Sequence, residues 1–506
     1  MRNSRPLVFA AALAASLAGA AVAASAQGTN LRVGIQDDPD ALDPATSGTY
    51  AGRFVFAAMC DKLVDIAPDL TIAPQLAQSW EWAPDQKAIT FKLRPGVKFH
   101  DGTTFDAQAV KFNIERMLTM KDSRRKAELS AVASVEVVAP DQVRLTLKEP
   151  FAPLLSVLSD RAGMMVSPAA GAKDDFANAP VCAGPYKFVE RKARDLIKLT
   201  KFADYWDAAN YGYDSVAYYY VPDSTVRLSR VRAGDLDLVE RVAPTDLKTV
   251  RDDKGLKLHG APGLAVSHLM VNLGNGEKAN GPLAKDARLR KAFELSLDRA
   301  IINRVAFNGE YTADNQMIPP SDPFHSKAHP IPARDVAAAK ALMAQAGVTS
   351  VPVEITFENA LTDARVAQIV QSMAKEAGFD VKLLPLETAS AIQRYLAGNF
   401  EVYIGNWSGR GDPDPTLYAF FSCAGGQNFN KYCNRDLETV LNNARAEGDA
   451  GKRKALYEKA TGLYLADLPS IPLYHPNWFF AARANVDGLS VYPDGLLRLK
   501  GVKPAP

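Results

Sequence analysis

The segment Asn406-Trp407-Ser408-Gly409-Arg410-Gly411-Asp412-Pro413-Asp414-Pro415 collects more recognition chemistry than any other stretch of this 506-residue chain. Trp407 offers a large flat apolar face with one donor. Arg410 carries a planar fork suited to carboxylate or phosphate. Asp412 can take an ammonium or simply cap a turn. Gly409 and Gly411 let backbone amides come close to a bound molecule. The plainer reading makes Asp412-Pro413-Asp414-Pro415 a structural turn and leaves Arg410 exposed or paired with a neighbouring Asp. Spacing alone does not separate the two. Tyr50 ends the polar loop DDPDALDPATSGTY, and Tyr474 lies beside His475 in IPLYHP. Ordinary core packing competes for Tyr474, since buried tyrosines often need only their hydroxyl satisfied.

Alternating strands and helices must position these groups. Residues 353–357 read as a strand, 364–377 as a helix closed by Gly378, 381–384 as a strand, 389–397 as a helix stopped by Gly398, and 401–405 as a strand. Earlier in the chain 31–35 and 216–221 read as strands, 54–63 as a helix, 224–232 as a helix ended by Gly234, and 236–239 as a strand. Such alternation predicts parallel sheets with helices on their faces, and two such lobes make an α/β clamshell. Ligands of open α/β sheets sit beyond the carboxyl ends of strands, which points to whatever follows Gly405.

Residues 76–150 have another character. Ile89, Phe91 and Leu93 alternate with polar neighbours, Arg94-Pro95-Gly96 turns the chain, 97–99 returns, and Asp101-Gly102 marks a second turn. Asp106 sits at a helix N-cap ahead of Val110, Ile114, Met117 and Leu118. A hairpin follows at 135–138 and 143–147. The block LAQSW, FKLRPGVKFHDGTTF and VKFNIER closely resembles the signature of the peptide/nickel/opine family of extracytoplasmic solute-binding proteins, the receptors of ATP-driven importers. CAGPYKF at 182–188 is similar to that family's G-T-G-P-Y-x-F segment, with Cys and Ala in place of Gly and Thr.

The resemblance implies a two-lobe binding protein of the cluster C type. Lobe I would comprise 27–60, 183–266 and 477–506, an inserted subdomain 61–182, and lobe II 267–476. It implies an interlobe ligand, a short peptide, opine or related amino-acid or sugar conjugate, contacted by Tyr50, Asn406, Trp407, Ser408, Gly409, Arg410, Asp412 and Tyr474. Peptide receptors place an Asp three residues after the Trp for the ligand's α-amino group; here that position holds Arg410. Dipeptide receptors use an upstream Arg for the carboxylate; here Phe357 stands there. We therefore expect a ligand with an anionic group that pairs with Arg410, and poor binding of simple dipeptides. A periplasmic chaperone or signalling receptor on the same fold is the alternative function.

The chain opens with MRNSRPLVFAAALAASLAGAAVAASAQ, which reads as a signal peptide over 1–26 with Ala24-Ser25-Ala26 before the cut. No cysteine lies near that site, so a free periplasmic protein without a lipid anchor is expected. Losing Arg2 and Arg5 takes Lys plus Arg from 59 to 57, level with the 57 Asp plus Glu. Zero net charge argues against nucleic acid or an acidic membrane as partner. The expected partners are the small solute and the inner-membrane permease and ATPase subunits, with the protein itself a monomer. The four cysteines of an exported chain suggest two disulfides. Cys423 and Cys433 flank a short Gly-Gly loop, which leaves Cys60 for Cys182; metal ligation competes, but there is no CxxC and no clustered His. No metalloprotease, nucleophile-elbow or phosphate-loop motif is present, so an enzyme is not expected, and no cofactor is called for.

Overall fold

The computed structural model describes residues 29–506; the leader read at 1–26 lies outside them. Three sheets organise the molecule. Asn30–Ile35 runs parallel to Ser215–Tyr220 on one side and to Leu238–Val239 on the other, at the middle of a seven-stranded sheet. Leu31, Val33 and Ile35 are buried in its core, as their alternation requires. Tyr186–Lys192, Leu196–Lys201, Leu256–Pro262 and Asn477–Arg483 complete this sheet by antiparallel pairing. A six-stranded sheet holds Val351–Glu358 between Phe379–Leu386 and Val402–Trp407, all parallel, while Val266–Val271, Ser470–His475 and Thr312–Ala313 join antiparallel.

Both large sheets are therefore mixed, not parallel as expected. The helices Leu361–Ala377 and Thr388–Leu396 make the parallel crossovers, whereas the strands that carry the chain between the two sheets return antiparallel. The third sheet is antiparallel, in the order Ala77–Trp82, Ala88–Leu93, Gln142–Leu147, Val132–Ala139, and is covered by the helix Ala107–Thr119. Asp106 caps that helix, its carboxylate accepting from the Ala109 amide at 2.9 Å.

Two local expectations fail. Residues 97–99 do not pair with Ala88–Leu93, whose neighbours are Ala77–Trp82 and Gln142–Leu147. The turn at Pro95-Gly96 carries the chain out of the sheet and leaves a lone bridge between Lys98 and Thr104. The helix read at 54–63 is Tyr50–Met59, because Thr49 caps it through its hydroxyl, which accepts from the Gly52 amide at 3.3 Å.

The chain passes between the two large sheets over very short segments, from Leu256–Pro262 to Val266–Val271 and from Ser470–His475 to Asn477–Arg483. These crossings touch. A Cβ on Gly263 would lie 2.2 Å from the Pro476 carbonyl oxygen, so the approach requires glycine. Both disulfides form as expected, with Cα separations of 4.9 Å for Cys60–Cys182 and 4.5 Å for Cys423–Cys433. Among the described residues no helix is long and apolar enough to cross a membrane.

Candidate functional site

Trp407 is the last residue of the strand Val402–Trp407 and not part of the loop that follows. Its indole N–H donates to Thr416 Oγ1 at 3.0 Å, and its ring meets the Phe420 ring edge-on. The Arg410 guanidinium lies over the indole, 4.7 Å from its centroid. Arg410 Nε sits 2.8 Å from Asp160 Oδ2, while Nη1 donates to the Gly409 carbonyl at 2.6 Å and to Ser408 Oγ at 3.3 Å. Asp160 belongs to the segment leading out of the third sheet, so this ion pair spans the boundary between the sheets.

Neither neighbouring acid matches Arg410. Asp412 accepts from both Nη atoms of Arg453, at 2.5 and 2.7 Å, and Asp414 lies 2.9 Å from Arg445 Nε. These two carboxylates hold the helices behind the loop. Arg53, from the first helix, donates from Nε to Asp160 Oδ1 at 3.0 Å and from Nη1 to Ser408 Oγ at 3.2 Å. Guanidiniums from both sides thus converge on one carboxylate and one hydroxyl. Burial raises the Asp160 pKa, but Arg53, then Arg410, Arg161 and Arg125, hold it well below the usual range. Burial, aided by Arg53, lowers the Arg410 pKa to about 10, which leaves it charged at neutral pH.

The remaining candidates take different parts. Gly409 has φ +70° and a Cβ there would meet the Leu264 carbonyl oxygen at 2.1 Å. Its glycine lets the loop press on the crossing segment, which is a packing role. A Cβ on Gly411 would come no closer than 3.9 Å to the side chains of Ile66 and Leu70 across the boundary. Asn406 donates its side-chain amide to Asp363 Oδ2 at 3.1 Å. Tyr474 is buried beside Phe307 and Tyr311, with Ser267 and Asp363 near its hydroxyl, and burial raises its pKa well above the normal value. Tyr50 stacks on Trp478 at 5.1 Å, donates to the Gly495 carbonyl at 2.5 Å and carries the Arg241 guanidinium 4.3 Å above its ring. Phe357 is in the core of the six-stranded sheet, 2% exposed.

Sequence reasoning missed Arg53, Asp160, Arg161, Asp363 and Arg241. One of them left a usable trace: Arg53 is the lone charge in YAGRFVFAAM, an otherwise apolar helix in which it is buried. A charge placed there needs a partner.

Asp363 lies in the first turn of Leu361–Ala377 and is 5% exposed. Burial and then the adjacent Glu358 raise its pKa from 3.8 to about 7, opposed only by the Asn406 amide. Between those values the folded protein holds a proton that the unfolded chain has released, so stability falls as pH rises from about 4 to 7. Urea unfolding at pH 5 and pH 8 should show Asp363→Asn removing part of that loss. A variant-to-parent difference that ignores pH would mean Asp363 titrates as an ordinary carboxylate, whatever Glu358, Tyr403 and Tyr474 around it do.

A family model, Bacterial extracellular solute-binding proteins, family 5 Middle, matches residues 71–428. The chain belongs to that family. It is 27% identical to the Di/tripeptide-binding protein 2 of Pseudomonas aeruginosa (strain UCBPP-PA14), covering 97% of this chain and 98% of the relative. Among solved structures it is similar to the binding protein AgaA from A. tumefaciens R10 in complex with agropinic acid, at 26% identity, TM-score 0.83, and 94% and 99% coverage of the two chains. It also shares its fold, at TM-score 0.84 and 21% identity, with a dipeptide-binding protein from Pseudoalteromonas sp. SM9913 in complex with Met-Leu, covering 94% of this chain and 100% of that one. The chain thus has the two-lobe α/β fold of a family 5 binding protein. The protein is the substrate-binding component of an ABC importer and not an enzyme.

Proposed function

We propose that this family 5 protein works in the periplasm, exported on residues 1–26, and carries one small acidic solute between its lobes to an inner-membrane permease and ATPase. The proposed lobe limits are 27–60, 183–266 and 477–506 for lobe I, 61–182 for its insertion, and 267–476 for lobe II. The observation that carries the reading is the bridge through Asp160, on which Arg53 of lobe I and Arg410 of lobe II converge. Contacts of this kind exist only when the lobes are closed, so a solute that adds to them shifts the protein toward the closed form. The groove of about 550 Å³ beside Thr200, Lys201 and Asp214 draws on lobe I alone and has no such leverage.

Agropinic acid, the ligand of the 26% identical AgaA, fits an acidic solute better than a neutral dipeptide does, given Arg410 and Phe357 at the two anchor positions. Mass spectrometry of the small molecule released on denaturing the natively purified protein tests the reading. Trp407 and Arg410 make the solute contacts in this proposal, with Tyr50 and Asn406 at the edges. Trp407→Ala should weaken binding of that solute by about 2 kcal/mol, as removal of a central aromatic does. Unchanged affinity would return the indole to the lobe II core, where Phe420 and Thr416 already hold it.

A further inference from the structure

We propose that the interlobe site is bipolar and takes an amino dicarboxylate, its two acid groups at a guanidinium pole of Arg53, Arg161 and Arg410 and its ammonium at a carboxylate pole of Asp363 and Glu358. This deepens the receptor reading above and rests on it, adding the charge pattern and the direction in which the ligand lies.

The guanidinium pole has more positive charge than the protein neutralises. Arg53, Arg161 and Arg410 share one carboxylate, Asp160, at 3.0, 3.9 and 2.8 Å. Arg125 beside them is matched separately by Glu128, and Asp494, near Arg53, is engaged by Arg498. The three arginine side chains are 3%, 3% and 10% exposed, so water does not stand in for the missing anions. Arg161 donates Nη1 to the Ser47 and Thr49 carbonyls, yet its Nε is buried with no acceptor among the described residues. Burial and then Arg125 push the Arg161 pKa well below its ordinary range. Buried cations of this kind are costly until an anion joins them, and the shortfall here is two charges.

The opposite pole is the mirror of this. Asp363 is buried and has the Asn406 amide as its side-chain partner, with no cation beside it among the described residues. Glu358 lies close enough to Asp363 to raise its pKa, and it faces Asp37 and Arg241 of lobe I. Arg241 is already claimed, 3.0 Å from Asp37 and 3.7 Å from Glu240. Ser267, which pairs across the sheet with both Asn406 and Tyr474, places its hydroxyl beside that of Tyr474, at the same end of the strand. An ammonium there would give Asp363 its missing counter-charge.

The poles are joined by the stretch from Asn406 to Arg410. Extended backbone covers about 3.3 Å per residue, so its ends lie at most ~13 Å apart and the ligand is short. Peptide receptors are expected to put an acid at the place of Arg410 and a guanidinium at the place of Phe357. Here the guanidinium is at 410, and the residue after buried Phe357 is Glu358, so the polarity is reversed.

Calorimetric titration of protein stripped by unfolding and refolding, with its disulfides intact, tests this. The probes are alanyl-glutamate, alanyl-glutamine and N-acetyl-alanyl-glutamate. Alanyl-glutamate should bind at least tenfold tighter than either analogue. Arg410→Gln should close the gap to alanyl-glutamine alone, and Asp363→Asn the gap to the acetylated peptide alone. Equal binding of the three peptides, or variants that exchange these effects, would overturn the assignment. Where all three bind too weakly to rank, the solute released from natively purified protein decides. Two acid groups and an amine uphold the proposal. A neutral or purely anionic solute overturns it and leaves the receptor reading standing. A protein that carries no solute and answers none of the peptides overturns both.

Discussion

Asp160→Ala should lower the stability of the closed protein by about 3–5 kcal/mol, the usual cost of stripping a buried charge cluster of its counter-ion. The carboxylate lies within 3.0 Å of Arg53 and Arg410, and its loss leaves three buried guanidiniums facing one another. Urea unfolding at neutral pH gives the size of the effect, and small-angle scattering shows whether the lobes part. Adding Arg410→Ala to the variant should recover part of the loss, because it removes one of the stranded cations. A loss below about 1 kcal/mol would mean that water enters and solvates the cluster.

The disulfides should differ in weight. In a chain-entropy account, breaking the Cys60–Cys182 bond, with its sequence separation of 122, removes about 5 kcal/mol. Breaking Cys423–Cys433, with a separation of 10, removes about 3 kcal/mol. Paired Cys-to-Ser replacements followed by urea unfolding measure the difference. The reverse order would show that native-state strain outweighs the loop-closure term.

Much of the architecture was legible because its signals are local. Gly234, Gly378 and Gly398 each end a helix with positive φ, where the sequence placed a stop. The cap at Asp106 is a single hydrogen bond within three residues. What could not be read is set by contacts between distant segments. The antiparallel return strands turn both sheets from parallel to mixed, and pairing choice has no local marker. The same holds for the site. The loop after Gly405 was found from its residue types, but the partner of Arg410 lies 250 residues upstream in Asp160, while the nearer acids Asp412 and Asp414 belong to Arg453 and Arg445. Charge pairing across a fold is decided by geometry that spacing does not encode.

The Cys60–Cys182 closure has a consequence for how this protein can change. It brings the two ends of the 61–181 stretch to a Cα separation of 4.9 Å, little more than the 3.8 Å of a single trans peptide step. By its route that stretch is a cassette: the host chain leaves and re-enters at nearly one point, as in tolerated domain insertions, while Met164, Val166 and Phe176 within it pack into the core that holds Cys60. Yet the cassette carries Asp160. Exchanging it for another that keeps those core residues would rewrite the charge that Arg410 meets without altering the path of the rest of the chain.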